Sequence, residues 1–77
     1  MIKVLLFAGL KERTGKSHIP WDKAPITVKN LKAELASVPG LENMSGIAVA
    51  VNEAFAPDDT VIQDGDTVAF IPPVSGG

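Results

Sequence analysis

The residues with the clearest chemical potential are the last eight, FIPPVSGG, from Phe70 to Gly77. Gly76 and Gly77 carry no side chains, so their backbone can thread a narrow tunnel and adopt dihedrals closed to other residues. What they offer is a terminal carboxylate. A carboxylate is a poor electrophile and reacts only once activated, most simply as an acyl-adenylate made from ATP. A sulfur nucleophile can then displace AMP and leave a thiocarboxylate, –C(O)S⁻. That group is ionised at neutral pH and is a soft nucleophile, like an activated cysteine thiolate. The tail would carry the reacting atom, and another protein would do the chemistry.

Such a tail needs reach. With the last strand ending near Ile71, six residues remain, Pro72 to Gly77. Extended, they span roughly 20 Å. Pro72 and Pro73 stiffen the base of the arm, while Val74 and Ser75 are small. The expected organisation is a folded body, 1–71, and an arm, 72–77. The bland alternative is a frayed terminus, which is the ordinary state of chain ends.

No other residues assemble a convincing site. His18 has no Cys, Ser or carboxylate cluster at a suitable spacing and reads as a surface strand residue. Trp21 is expected to cover the edge of the core. Asp58, Asp59, Asp64 and Asp66 lack the spacing of a calcium loop and read as turn residues. Lys11 and Arg13 could touch an acidic partner or simply be solvated. Gly9 and Gly15 form no phosphate loop. No nucleotide or metal site is expected on this chain, so ATP would bind an activating enzyme.

Composition narrows the classes further. Seventy-seven residues make one domain, and a chain of this size buries only about 60% of its unfolded surface. That leaves little core for a deep catalytic pocket. Seven basic and nine acidic residues give a formal charge of -2, and the absence of a basic run argues against nucleic acid. No apolar stretch is long enough to span a membrane, and MIKVLLFAG reads as a strand, not a secretion signal. With no cysteine, there is neither a disulfide framework nor a thiol. The expected location is the cytoplasm.

The elements that must position the tail follow from periodicity. Met1 to Ala8 alternates, with Ile2, Val4, Leu6 and Ala8 on one parity and Lys3, Leu5 and Phe7 on the other. Both parities are largely apolar, so the strand is central or one face meets a partner. Gly9 to Lys16 reads as a polar connection that turns at Gly15. Ser17 to Asp22 reads as a returning edge strand, because Pro20 cannot serve a ladder on both sides. Val28, Leu31, Leu35 and Val38 then form a helical stripe, with Thr27 as N-cap and Pro39-Gly40 as the stop. Strands are predicted over 47–52 and 66–71. Between them lie an irregular stretch around Phe55, a segment at 60–63 that could pair briefly, and a turn at Asp64-Gly65. Hairpin, helix, then more strands gives an α+β domain. With the first and last strands adjacent in the centre, it is a β-grasp (ubiquitin-like) fold: a mixed sheet with one main helix packed on one face.

Several stretches together carry a family resemblance: the opening MIKVLLFA, the helix TVKNLKAEL, the strand ending Val51-Asn52, the segment DGDTVAFIPP, and the terminal VSGG. Along essentially its whole length, the chain resembles the small, sulfur-carrying subunits of molybdopterin synthase, a MoaD/ThiS-like family. The Gly-Gly end alone also suits ubiquitin and the thiazole-pathway carriers. The run from Asp64 to Pro73 is more specific, since thiazole-pathway carriers usually lack the double proline. The resemblance implies that Gly77 is adenylated by an adenylyltransferase like the ubiquitin-activating enzymes, then converted to a thiocarboxylate with sulfur from a donor protein. Gly76 is its slender neighbour. It implies further that the tail inserts into the large subunit, the two kinds of subunit forming a two-plus-two heterotetramer. There the sulfur passes to cyclic pyranopterin monophosphate. Alternatives remain. The sulfur could serve thiazole, a modified tRNA base or cysteine, or Gly77 could join lysines as a protein modifier does.

Parity also suggests a binding face. If Val4, Leu6, Val68 and Phe70 pack on the helix, then Phe7 and Ile71 point away from it, with Phe55 nearby. Either these residues meet a partner, beside Pro72, Pro73, Val74 and Ser75, or the loop around Phe55 covers Phe7 within the monomer. The resemblance implies the first: large subunit and activating enzyme both dock there.

Overall fold

The computed structural model describes residues 1–42 and 46–72. Its first strand, β1 (Ile2–Leu6), has the burial its parity demands: Ile2, Val4 and Leu6 are buried, Lys3 is exposed, and Leu5 is half-buried. After Phe7, still extended at φ -122° and ψ 156°, Ala8 takes φ 49°. That turn throws the chain into a short helix, α1 (Ala8–Thr14).

The sequence reading of this segment as a polar connection is therefore corrected. Leu10, buried to 1% exposure, is the one side chain that anchors α1 to the core. Gly15 ends it in the left-handed region, at φ 71°, and donates its N–H to the Lys11 carbonyl at 2.8 Å. Thr14 Oγ1 donates to the Leu10 carbonyl at 2.8 Å. Glycine at this position costs nothing sterically. A helix with one buried residue has no readable stripe.

Strand β2 (His18–Trp21) returns antiparallel along β1, with Val4 opposite Ile19 and Leu5 opposite His18. It lies at the sheet edge, where Pro20 is tolerated. Next, β3 (Ile26–Thr27) leads straight into α2 (Val28–Leu35). Thr27 Oγ1 accepts the Asn30 N–H at 3.1 Å, and Val28, Leu31 and Leu35 are fully buried. The helix stops a turn before Val38. A residue preceding proline disfavours the α conformation, and Val38 precedes Pro39. Its N–H instead donates to the Leu35 carbonyl at 2.9 Å, and its side chain still packs against the core. Gly40, at φ 99°, closes the turn onto α1; a Cβ there would lie 2.9 Å from the Arg13 carbonyl carbon.

Strand β4 (Ala48–Val51) and β5 (Ala54–Phe55) form a hairpin. Its two turn residues, Asn52 and Glu53, both have positive φ, 50° and 72°, as a type I′ turn requires. Phe55 thus sits on a strand, not in the irregular stretch that the sequence suggests. Strand β6 (Val61–Ile62) pairs with β3 in a separate two-stranded sheet, and β7 (Thr67–Ile71) completes the main one.

The main sheet runs β2-β1-β7-β4-β5. The first and last strands lie side by side and parallel in its centre, with Val4 against Val68 and Leu6 against Phe70. Antiparallel neighbours flank them. This is the β-grasp architecture. The core lies between one face of the sheet and α2, built from Ile2, Val4, Leu6, Val68 and Phe70 against Val28, Leu31 and Leu35.

Candidate functional site

The other face of the sheet has no helix over it among the described residues. Pairing registers assemble one cross-strand row there: His18, Leu5, Ala69, Ala50 and Phe55, from β2 to β5. Beside it lies Ile71, opposite Ala48, with Phe7 continuing β1 on the same parity. The small Ala48, Ala50 and Ala69 make a shallow floor, and the larger Leu5, Phe7, Ile71 and Phe55 stand around it. Leu5, Phe7, Ala50 and Ala69 line one groove together with Asn52 and Glu53.

Two phenylalanines on this face stay in water. Phe7 is 46% exposed and Phe55 77%. Phe7 follows directly on β1 and Phe55 lies on β5, with β7 and β4 between those two strands, so the loop around Phe55 does not cover Phe7. Burying such a side chain is worth about 1.5–3 kcal/mol, which the isolated chain forgoes. Ile71 and Pro72 are half-buried where the chain leaves β7. The other proposed tail residues, Pro73, Val74, Ser75, Gly76 and Gly77, lie outside the described residues. The apolar face and the base of the arm are therefore contiguous.

A polar network fixes the near end of this face. Asn52 N–H donates to the Thr67 carbonyl at 2.8 Å, and Thr67 N–H donates to Asn52 Oδ1 at 3.0 Å. Asp66 accepts from Gln63 N–H at 2.9 Å and from Asn52 Nδ2 at 3.1 Å. These bonds, the Gln63 amide first, hold the Asp66 carboxyl below its ordinary pKa. On the helix side, Glu42 is likewise held low, by its own N–H, then by that of Gly40, with Arg13 adding a smaller effect.

The residues set aside in the sequence take structural places. His18 is exposed on β2, with Nδ1 3.3 Å from Ser17 Oγ. Trp21 is half-buried against the core under Lys23, whose Nζ is 5.8 Å from the ring centre. Asp58 pairs with Lys32 at 3.4 Å, and Asp64 pairs with the Met1 ammonium. Lys11 and Arg13, adjacent in sequence reasoning, part company. Lys11 lines a groove with Leu5, Phe7, Lys3 and His18, whereas Arg13 lies toward Gly40 and Glu42. Sequence reasoning missed Ala50, Lys3 and Glu53 as members of this surface. The alternation carries them, but only once the register across five strands is known. No helix of the described residues is long and apolar enough to cross a membrane.

Comparison with known proteins gives a consistent picture. The model of the ThiS family matches residues 4–77. The molybdopterin synthase sulfur carrier subunit of Escherichia coli is 38% identical over 82 residues, covering the whole of both chains. Among solved structures, SAMP1 of Haloferax volcanii, a small archaeal modifier protein, superposes with a TM-score of 0.83 at 31% identity. That match covers 99% of this chain and 98% of the other. The complex of subunits 1 and 2 of molybdopterin-converting factor from Helicobacter pylori contains a chain that matches with a TM-score of 0.73 at 31% identity, covering 99% and 97%.

Proposed function

Since the chain belongs to the ThiS family, we propose that it is a sulfur carrier of molybdenum cofactor biosynthesis, the small subunit of a molybdopterin synthase. The observation that carries this is the whole-length similarity to a sulfur carrier subunit of that enzyme. The body, 1–71, is the recognition module; the arm, 72–77, bears the chemistry. Gly77 is the reacting residue and Gly76 leaves it room. In an activating enzyme, the Gly77 carboxylate attacks the α-phosphorus of ATP and pyrophosphate leaves. The terminal sulfur of a donor protein's persulfide then displaces AMP, and a second thiol cleaves the resulting acyl disulfide, forming a disulfide with the donor and releasing the thiocarboxylate. In the large subunit, that sulfur bonds to a side-chain carbon of cyclic pyranopterin monophosphate as a carbon–oxygen bond there breaks, and hydrolysis of the resulting thioester leaves the sulfur on the pterin and returns the Gly77 carboxylate.

Phe7, Ile71 and Phe55 dock this module on its partners, and Pro72, Pro73, Val74 and Ser75 guide the arm inward. The H. pylori complex named above is a two-subunit assembly and supports a large-subunit partner here. This chain binds no cofactor itself in this scheme, since ATP is consumed on the activating enzyme. Similarity to an archaeal modifier protein favours a second reading, in which lysine amines attack the Gly77 adenylate or its thioester successor.

The test is the intact mass of the protein isolated from its own cells, together with adenylation by the cognate activating enzyme. Replacement of one C-terminal oxygen by sulfur supports the carrier. Gly77 found joined to lysines supports the modifier. Failure of adenylation, with the protein folded, overturns both.

A further inference from the structure

The open sheet face is electrically polarised. Residues 3–18 hold Lys3, Lys11, Arg13 and Lys16 against Glu12 alone, four positive less one negative, or +3. The rest of the chain holds Lys23, Lys29 and Lys32 against eight carboxylates, or -5, and the two sum to the formal -2. Arg13 faces Glu42 on the helix side, so it does not define the patch. Lys3, Lys11 and His18 do, for they line one groove with Leu5 and Phe7. All three are exposed, and neither lysine has an ion pair among the described residues. On the opposite side of the same Leu5–Phe7 ridge, the neighbouring groove ends at Glu53. Across the sheet from β2 to β5, the rim therefore changes from basic to acidic while the centre stays apolar.

We propose that this polarity selects and orients the partner: a protein surface with an apolar centre whose acidic side meets Lys3, Lys11 and His18. The proposal rests on the carrier reading above, and charge complementarity is its argument. An apolar face supplies affinity but no direction. Charges at its rim steer encounter, fix register and repel wrong partners. Direction matters here, because the arm leaves from Ile71 at one place on the face. A rotated encounter would carry the arm away from any tunnel. Charges of one sign would attract an acidic partner in any rotation, whereas an opposed pair of rims admits one.

The experiment measures association of the full chain with the large subunit of molybdopterin synthase from the same organism by stopped flow, across ionic strength. For the native chain, the association rate is expected to fall about tenfold or more between low and high salt, as for steered encounters. The double variant Lys3→Glu, Lys11→Glu should associate about tenfold more slowly at low salt and nearly normally at high salt, where the Debye length is only about 3 Å at 1 M. Lys3→Gln, Lys11→Gln should fall between. The control Lys23→Glu, Lys29→Glu makes the same change in net charge away from the patch and should stay within about twofold of native. Equal slowing by control and patch variants, or a native rate indifferent to salt, overturns the proposal while leaving the carrier reading intact. Complete failure of the native chain to bind overturns the carrier reading, and the proposal with it. Melting temperatures of all variants verify that each is folded.

Discussion

The two faces of the main sheet are written in alternate residues of the same strands, yet they meet opposite fates. Ile2, Val4, Leu6, Val68 and Phe70 are all 2% exposed or less. One residue along in each strand lie Lys3, Leu5, Phe7, Thr67, Ala69 and Ile71, none of them fully buried. The first set meets α2 and is the fold. The second is nearly as apolar but carries no part of the core. A small domain has little apolar area to forgo, so a sheet face left uncovered at this cost fits the docking role proposed for it. Stability and recognition are thus separable at single-residue spacing.

Mutation of neighbouring positions would break that comparison if it is wrong. Phe70→Ala empties a fully buried site and should cost about 3–5 kcal/mol. At roughly 4–8 °C per kcal/mol for a domain of this size, that lowers the melting temperature by tens of degrees. Phe7→Ala, on the open face, should change stability by no more than about 0.5 kcal/mol while weakening large-subunit binding about tenfold or more. Equal melting losses would place Phe7 in the core. Gly40→Ala should cost about 2–4 kcal/mol, combining a left-handed backbone with overpacking. It touches only the helix side, where its Cβ would meet Arg13 and Thr14 at 2.9 Å. The fraction that remains folded should bind the large subunit normally, as calorimetric titration would show.

Much of this was legible in the sequence because long, regular patterns average out local ambiguity. The parity of β1 and β7, the stripe of Val28, Leu31 and Leu35, and the Thr27 cap were all readable from spacing. What was not legible depended on single anchors or on register. Helix α1 hangs on Leu10 alone, and strands β3 and β5, of two residues each, exist only because β6 and β4 run beside them. The open face was half-visible. Phe7 and Ile71 followed from parity, but the placement of Phe55 at the far edge, and of Ala50 and Ala69 as the floor between, needed pairing registers that no single strand encodes. The polar network of Asn52 and Asp66 joins residues fourteen apart and looked like turn chemistry. In part it is, since Asp66 N–H donates to the Gln63 carbonyl at 3.1 Å.

That network sharpens the comparison by its smallest expected effect. The helix-covered face is held by apolar packing, which acid leaves largely untouched. The open face is held at its β4–β5 end by a carboxylate that works only while ionised. Asp66 has a lowered pKa in the folded chain, owing first to the Gln63 amide and then to Asn52. Its contribution to stability is therefore fully present above the unfolded value, about 3.9 for aspartate, and is lost as pH falls through the lower folded value. Asp66→Asn should lower the urea midpoint at pH 7, and the gap to the native chain should narrow as pH drops below about 4. A gap unchanged with pH would mean that the amides bind the neutral side chain equally well. The β4–β5 end of the open face would then owe its geometry to the Asn52–Thr67 backbone pairing and not to charge.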